Sequence, residues 1–314
     1  MAELLHGYAM TLTEEQLLRI ERFFSTSKFR TNGAVITDLD GTAVHEFEGR
    51  TIIHKSVEIG LKKIYDIGRP IVINTLRFPL SVIRTFALDW YTISNAPIPV
   101  VLLNGSQLGY IIKVENEFAF EQLQCFPLSA EEIKVEIERL QQFTDDGIQD
   151  MILFYYPEDW KNGEIIWTPD PQRIPHLQQK YTSASSVISM SLNDLLTELL
   201  KNPVCMILVL VDIPSDKLMA YQHTKRSHFV THQGVDKLTG TGKIASLLHF
   251  DLEHSVGAGD TDMDNFLKAV GMSVHIGRKN LPFEGLKDTL RLRDFVEYGD
   301  LLNQFAYLQT NYVK

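Results

Sequence analysis

AVITDLDGT, residues 34–42, is a four-residue apolar run that passes directly into two carboxylates, a glycine and a threonine. A short apolar run bounded by turn residues reads as a strand buried on both faces, the kind found in parallel sheets. The same cadence repeats downstream. Residues 56–67 (SVEIGLKKIYDI) have helical spacing and are broken by Gly68, Arg69 and Pro70. A second apolar strand, IVIN, then ends at Thr75, a helix is expected over 80–88, and a third strand, VVLLN, ends at Asn104-Gly105. Strands alternating with helices, each strand nearly all apolar, indicate a parallel sheet with helices on both faces. Ligands of such sheets sit at the carboxyl ends of the strands, where Asp38 and Thr75 both fall.

On the N-terminal side, TLTEEQLLRIERFF (11–24) places Leu17, Leu18, Ile20 and Phe23 at helical spacing behind Thr13, a capped amphipathic helix. Beyond Gln107 the pattern changes. Paired strands are expected at 110–114 and 118–123, a helix from Ser129, strands at 151–156 and 164–167, and an irregular connection at Pro169, Pro171 and Pro175. A helix at 192–200, a strand at 205–211 and a short helix at 215–222 follow. This stretch reads as a separate α/β unit with an open antiparallel sheet. After Gly234 the first style returns, with a helix at 242–250, a strand at 255–259, a helix at 264–270 and a strand at 273–276. The expected fold is α/β: a Rossmann-like parallel-sheet core over 1–105 and 232–314, with 1–33 as an N-terminal helical extension, and an inserted α/β cap over 106–231.

The chain has 314 residues, 44% hydrophobic and 22% charged, with 30 basic and 40 acidic side chains and a net charge of −10. This is the profile of a globular protein with room for two domains or one large insertion. The acidic balance argues against nucleic acid or an anionic membrane as partner. Cys125 and Cys205 are too few for a disulfide framework or a zinc site and read as small buried hydrophobes. MAELLHGYAM carries no secretion signal, and the densest apolar run, 204–211, is too short to cross a bilayer, so a cytoplasmic setting is expected.

Two segments carry chemistry. Asp38 and Asp40, at i and i+2 on leaving a strand, can both face one crevice if the strand end turns, and Gly41 permits such a turn. One carboxylate can then attack phosphorus while the other handles the leaving-group proton. The second segment, VGAGDTDMD (256–264), is a strand ending in a glycine turn with alternating carboxylates Asp260, Asp262 and Asp264. Like charges repel, so this clustering makes sense around a cation or a lysine, and hard oxygen ligands suit Mg²⁺. An ordinary turn and a solvated acidic helix cap are the bland readings of the two segments.

DLDGT after an apolar strand, a Thr ending a later strand, a Lys at a helix start and GDxxxD near the C-terminus resemble the four motifs of the haloacid dehalogenase superfamily. The insertion, entered at Asn104-Gly105, resembles its sugar-phosphate phosphatase branch, which includes trehalose-phosphatase, sucrose-phosphatase and Cof-type enzymes, and also phosphomannomutase. The resemblance implies an enzyme, a phosphoric monoester hydrolase. Asp38 would be the nucleophile that forms an aspartyl-phosphate, and Asp40 the acid/base. Thr75 would bind a phosphoryl oxygen, with Arg77, Asn104 and Gly105 as further substrate contacts. Mg²⁺ would be held by Asp38, the Asp40 carbonyl and Asp260, with Asp264 nearby. The substrate implied is a small phosphorylated metabolite, such as a sugar phosphate.

Two departures stand out. Thr75-Leu76-Arg77 replaces the usual Thr-Gly-Arg. The third-motif lysine has two candidates: Lys243, which opens the helical period of KIASLLHF and is favoured for that reason, and Lys237 in GVDK. Gly240-Thr241-Gly242-Lys243 hints at a phosphate loop, but Ile244 stands where a hydroxyl residue is required. The ten histidines show no metal-ligand spacing, and His223, His228 and His232 read as surface or packing residues. Trp160, Trp167, Tyr155 and Tyr156 read as packing rather than as sugar-stacking platforms. A phosphomutase shares the Asp40 requirement and stands as the alternative function. A non-catalytic binding protein on the same scaffold is a third reading, kept open by the altered Thr-Leu-Arg.

Overall fold

A computed structural model describes residues 11–148, 150–211 and 227–311. The helix expected at 215–222 and His223 lie outside the described residues. From the N-terminus come helices α1 (Glu14–Thr26) and α2 (Phe29–Asn32), strand β1 (Val35–Thr37), strands β2 (Val44–Phe47) and β3 (Arg50–Ile53), α3 (Lys55–Asp66) and β4 (Ile71–Asn74). A helical stretch follows in three pieces: α4 (Pro79–Val82), a π turn (Ile83–Ala87) and α5 (Leu88–Ser94). Next are β5 (Ile98–Leu102), β6 (Gln107–Val114), β7 (Glu117–Cys125), α6 (Ala130–Asp145), β8 (Met151–Pro157) and β9 (Ile165–Trp167). The chain continues with α7 (Ile174–Lys180), β10 (Ser186–Ile188), α8 (Leu192–Lys201), β11 (Val204–Val211), β12 (Ser227–Thr231) and α9 (Lys237–Leu248). It closes with β13 (Val256–Gly259), β14 (Met272–Ile276), β15 (Asp288–Leu292) and α10 (Phe295–Asn311).

The chain divides into two compact units, 1–75, 85–100 and 241–314 on one side, 76–84 and 101–240 on the other. The first is built on a sheet in the order β15-β14-β13-β1-β4-β5. From β15 to β4 every neighbouring pair is parallel. Val35 and Ile36 are fully buried, as a strand covered on both faces requires. Register decides where the chemistry falls: Thr37 lies opposite both Ala258 and Ile73, so β1, β4 and β13 end within one residue of one another.

Helix α1 begins with a reciprocal cap, Gln16 N–H donating to Thr13 Oγ1 while the Gln16 side chain accepts from the Thr13 N–H. Its buried face, Ile20, Phe23 and Phe24, packs on α10, with the Phe23 and Phe305 rings edge to face at 6.0 Å. Helix α10 is absent from the expected elements, although Tyr298, Leu301, Leu302 and Phe305 bury at helical spacing. The helix expected at 264–270 is a single 3₁₀ turn, Asn265–Lys268.

The second unit holds the antiparallel β6–β7 hairpin and a five-stranded sheet in the order β10-β9-β8-β11-β12, antiparallel except for the β9–β10 pair. Every residue of β8 is buried, because both faces of this sheet are covered. Ile152, Phe154, Tyr156, Met206, Leu208 and Leu210 point into one core with Leu177 and Tyr181. Met151, Leu153, Tyr155, Ile207 and Val209 point into the other, against Ile137 and Leu140 of α6 and Leu195 and Leu199 of α8. This is the period-two alternation of a strand expressed as two cores. Trp167 is buried and donates from Nε1 to Met190 O at 2.9 Å, and Tyr155 and Tyr156 are buried, so these aromatics pack. Among the described residues no helix is long and apolar enough to cross a membrane.

Candidate active site

Asp38 is the first residue beyond β1, and its N–H donates to Ala258 O at 2.9 Å, one last rung of the β1–β13 pairing. The chain then turns: the amides of Ala43 and Val44 donate to Leu39 O at 3.0 and 2.8 Å, and Gly41 N–H to Val44 O at 2.9 Å. Asp38 is buried, while Asp40 stands half-buried at the turn. Thr42, fully buried, reaches Asp260 Oδ1 at 3.5 Å.

The strand next to β1 supplies the other carboxylates. Asp264 is fully buried, and its Oδ2 accepts from the amides of Asp260 (3.0 Å) and Thr261 (2.9 Å) and from Thr261 Oγ1 (3.2 Å). It thus holds the loop after β13 in shape. One carboxylate oxygen each from Asp38, Asp260 and Asp264 lies within 4.8 Å of the others. Three carboxylates at that spacing repel strongly unless a cation joins them, and an all-oxygen donor set of this charge fits a small hard ion such as Mg²⁺. Asp262, the middle member of the alternation, points away. It is exposed and pairs with Lys279 Nζ at 2.6 Å.

Glycine is required where the two loops meet. Gly41 has φ +76°, and a Cβ there would stand 2.3 Å from Asp260 Oδ2. A Cβ at Gly259 would stand 2.6 Å from Asp264 Cγ. We expect Gly41→Ala to destabilise the first unit by at least about 1 kcal/mol through left-handed strain alone and to weaken cation binding by pushing Asp260 aside. Chemical denaturation and metal titration of the purified variant check this. Unchanged stability and affinity would contradict the turn described.

Thr75, next after β4, is 1% exposed. Just before it, Asn74 Nδ2 donates to Thr241 Oγ1 of α9 at 2.6 Å in a buried contact. Helix α9 starts at Lys237, five residues ahead of the expected start, because Asp236 caps it. Thr239 N–H donates to Asp236 Oδ1 at 2.7 Å, and Asp236 N–H to Thr239 Oγ1 at 2.9 Å. Gly240-Thr241-Gly242-Lys243 is therefore helix interior, not a phosphate loop. The two candidate lysines differ sharply, Lys237 being only 2% exposed and Lys243 exposed.

Asn104 and Gly105 follow β5 in left-handed conformations, at φ 56° and 97°. A Cβ on Gly105 would stand 2.2 Å from Asp236 O, so this glycine lets the chain lie against the segment that begins α9. Arg77 is 4% exposed and donates to Ser81 Oγ of α4 at 2.9 Å. It lines a cavity of about 40 Å³ in the second unit with Tyr156, Glu164 and Tyr181. Burial raises the Glu164 carboxyl above its usual range, against the Tyr156 and Ser183 hydroxyls that lower it. In the same unit His232 Nδ1 lies 3.0 Å from Glu132 Oε2, whereas His228 is exposed. Of these cavity residues the sequence singles out Arg77 and Tyr156, and nothing in it distinguishes Glu164 or Tyr181.

A strand-end nucleophile candidate, a second carboxylate two residues on and an acidic pair in the loop after the neighbouring strand are the site of a hydrolase built on a parallel sheet, as the family match shows. A family model described as haloacid dehalogenase-like hydrolase matches residues 35–281, and the chain belongs to that family. No curated protein matches the chain. Among solved structures it is similar to a haloalkanoate-superfamily phosphatase from Bacteroides thetaiotaomicron, at 17% identity and TM-score 0.59, covering 89% of this chain and 96% of that one. It is similar to a HAD subclass IIB sugar phosphatase at 15% identity and TM-score 0.60, covering 88% and 99%. A Thermotoga maritima protein matches at 12% identity and TM-score 0.59, covering 87% and 97%. These likenesses establish the fold: a parallel-sheet core with an accompanying α/β unit.

Proposed function

We propose that the protein is a Mg²⁺-dependent phosphatase that hydrolyses a sugar phosphate, or a similar small phosphate monoester, through a phosphorylated Asp38. The observation that carries this reading is the buried Asp38 carboxylate, with oxygens of Asp260 and Asp264 within 4.8 Å and Asp40 two residues on. A carboxylate Oδ of Asp38 attacks phosphorus in line with the ester oxygen, the P–O bond to the alcohol breaks, and Asp40 gives the departing oxygen its proton. Asp40 then takes a proton from water, which attacks the phosphoryl group, releases phosphate and restores Asp38. The Thr75 hydroxyl donates to a phosphoryl oxygen. The chemistry that Mg²⁺ supplies when held by Asp38, the Asp40 carbonyl and Asp260 is charge neutralisation, without which an anion cannot approach a phosphate dianion. Asp264 keeps that loop in shape.

We assign the third-motif lysine, which joins Mg²⁺ in neutralising the charge of carboxylate and phosphate, to Lys237 rather than to Lys243, the residue that helical periodicity favours. A buried ammonium exerts its field through a low dielectric, whereas an exposed one is screened by water. Residues 106–231 are assigned as the cap that selects the substrate, with Arg77, Asn104 and Gly105 as further substrate contacts. A cytoplasmic setting suits such a metabolite. A panel of sugar phosphates assayed with Mg²⁺ tests the reading. Turnover should vanish with a chelator, return with Mg²⁺ and fall with Ca²⁺, whose larger and looser shell lets a carboxylate chelate rather than attack. Full turnover without any divalent ion would overturn it.

A further inference from the structure

The second unit contains a pair of cysteines that the proposed chemistry does not use. Cys125 closes β7 and Cys205 is the second residue of β11, yet their Sγ atoms lie 3.0 Å apart. Local backbone explains the meeting. The β8–β11 pairing slips between Val204 and Met206, so Cys205 sits at a β-bulge, a device that re-aims a side chain. The chain leaving β7 is fastened beside it: Phe126 N–H donates to Ser106 O at 2.9 Å, and Leu128 N–H to Val204 O at 2.8 Å. Both sulfurs are free thiols, Cys205 buried and Cys125 half-buried. The hydrogen bond with Cys125 and then burial push the Cys205 thiol up, so it keeps its proton at neutral pH.

We propose that Cys125 and Cys205 are a reversible disulfide-forming modification site, oxidised by a small disulfide such as oxidised glutathione. Solvent reaches Cys125, so its thiolate attacks one sulfur of the small disulfide. This forms a mixed disulfide and expels one glutathione thiolate. Cys205, losing its proton as it reacts, attacks the Cys125 sulfur and expels the second glutathione. The protein loses two electrons and two protons, and one glutathione disulfide becomes two thiols. The bond joins residues 80 apart in the chain. It restricts the unfolded state and ties the end of β7 to the β11 bulge, so the oxidised form should melt at a higher temperature.

The full chain is incubated in glutathione buffers running from fully reduced to fully oxidised, quenched in acid, alkylated under denaturing conditions and weighed intact. The wild type should pass in one step from two alkylated thiols to none, with a mass loss of two hydrogens and no retained glutathione. A dithiol reductant should reverse this. Cys205→Ser should stall with glutathione on Cys125, and Cys125→Ser should take up none at the buried Cys205. The oxidised wild type should melt higher than its reduced form, a shift that Cys125→Ser in the same buffer does not show. Two alkylatable thiols in the most oxidising buffer, a stable glutathione adduct on the wild type, or a disulfide between two chains would each overturn the proposal.

Discussion

Asp38→Asn should fold and lose turnover by a factor on the order of 10⁴ or more, the scale of removing a covalent nucleophile. The amide keeps the shape of the side chain and loses the anionic oxygen that attacks phosphorus. Stability should not suffer. Asp38, Asp260 and Asp264 crowd three carboxylates within 4.8 Å, so removing one negative charge relieves repulsion when no cation is bound. We therefore expect a metal-free Asp38→Asn protein to melt no lower than metal-free wild type, by circular dichroism. Substantial phosphatase activity in that folded variant would remove the covalent route.

The second large effect separates two lysines six positions apart on one helix. Lys237→Met keeps an aliphatic stem in its buried place and removes only the ammonium. Turnover should drop by about 10²–10³, the cost of deleting one preorganised electrostatic partner of the transition state. Lys243→Met, on an exposed side chain, should change kcat by no more than a few-fold. Steady-state kinetics on the same sugar phosphate decide it. A large loss confined to Lys243→Met would return the role to the residue that helical periodicity favours.

What could be read from the sequence follows from where the signal is local. AVIT, IVIN and VGAG announce buried parallel strands because nearly every position is apolar or small, with Thr37 and Asn74 only at the strand ends. Their carboxyl ends locate Asp38, Thr75 and Asp260 without coordinates. The start of α9 is hidden in the sequence because Thr-Gly-Thr-Gly is poor helix sequence and apolar periodicity only begins at Ile244. The cap that overrides this, Asp236 with Thr239, was a readable sign. Helix α10 was also legible in the spacing of Tyr298, Leu301, Leu302 and Phe305. Other features are not local at all. Alternating carboxylates cannot say that Asp262 faces Lys279 while Asp264 gathers backbone amides. The contrast in burial between Lys237 and Lys243 depends on what surrounds α9. The meeting of Cys125 and Cys205 depends on a bulge and on strands of different sheets.

The most direct test of the account is to catch the phosphoryl group on the protein. A sugar phosphate found to turn over with Mg²⁺ is mixed with enzyme, quenched in acid within the first turnovers, digested and analysed by mass spectrometry. The account predicts a phosphoryl group on the peptide that contains residues 34–42, localised to Asp38 and absent from Asp38→Asn. Steady turnover with no phosphoryl group on that peptide, or with the group on another residue, would contradict it.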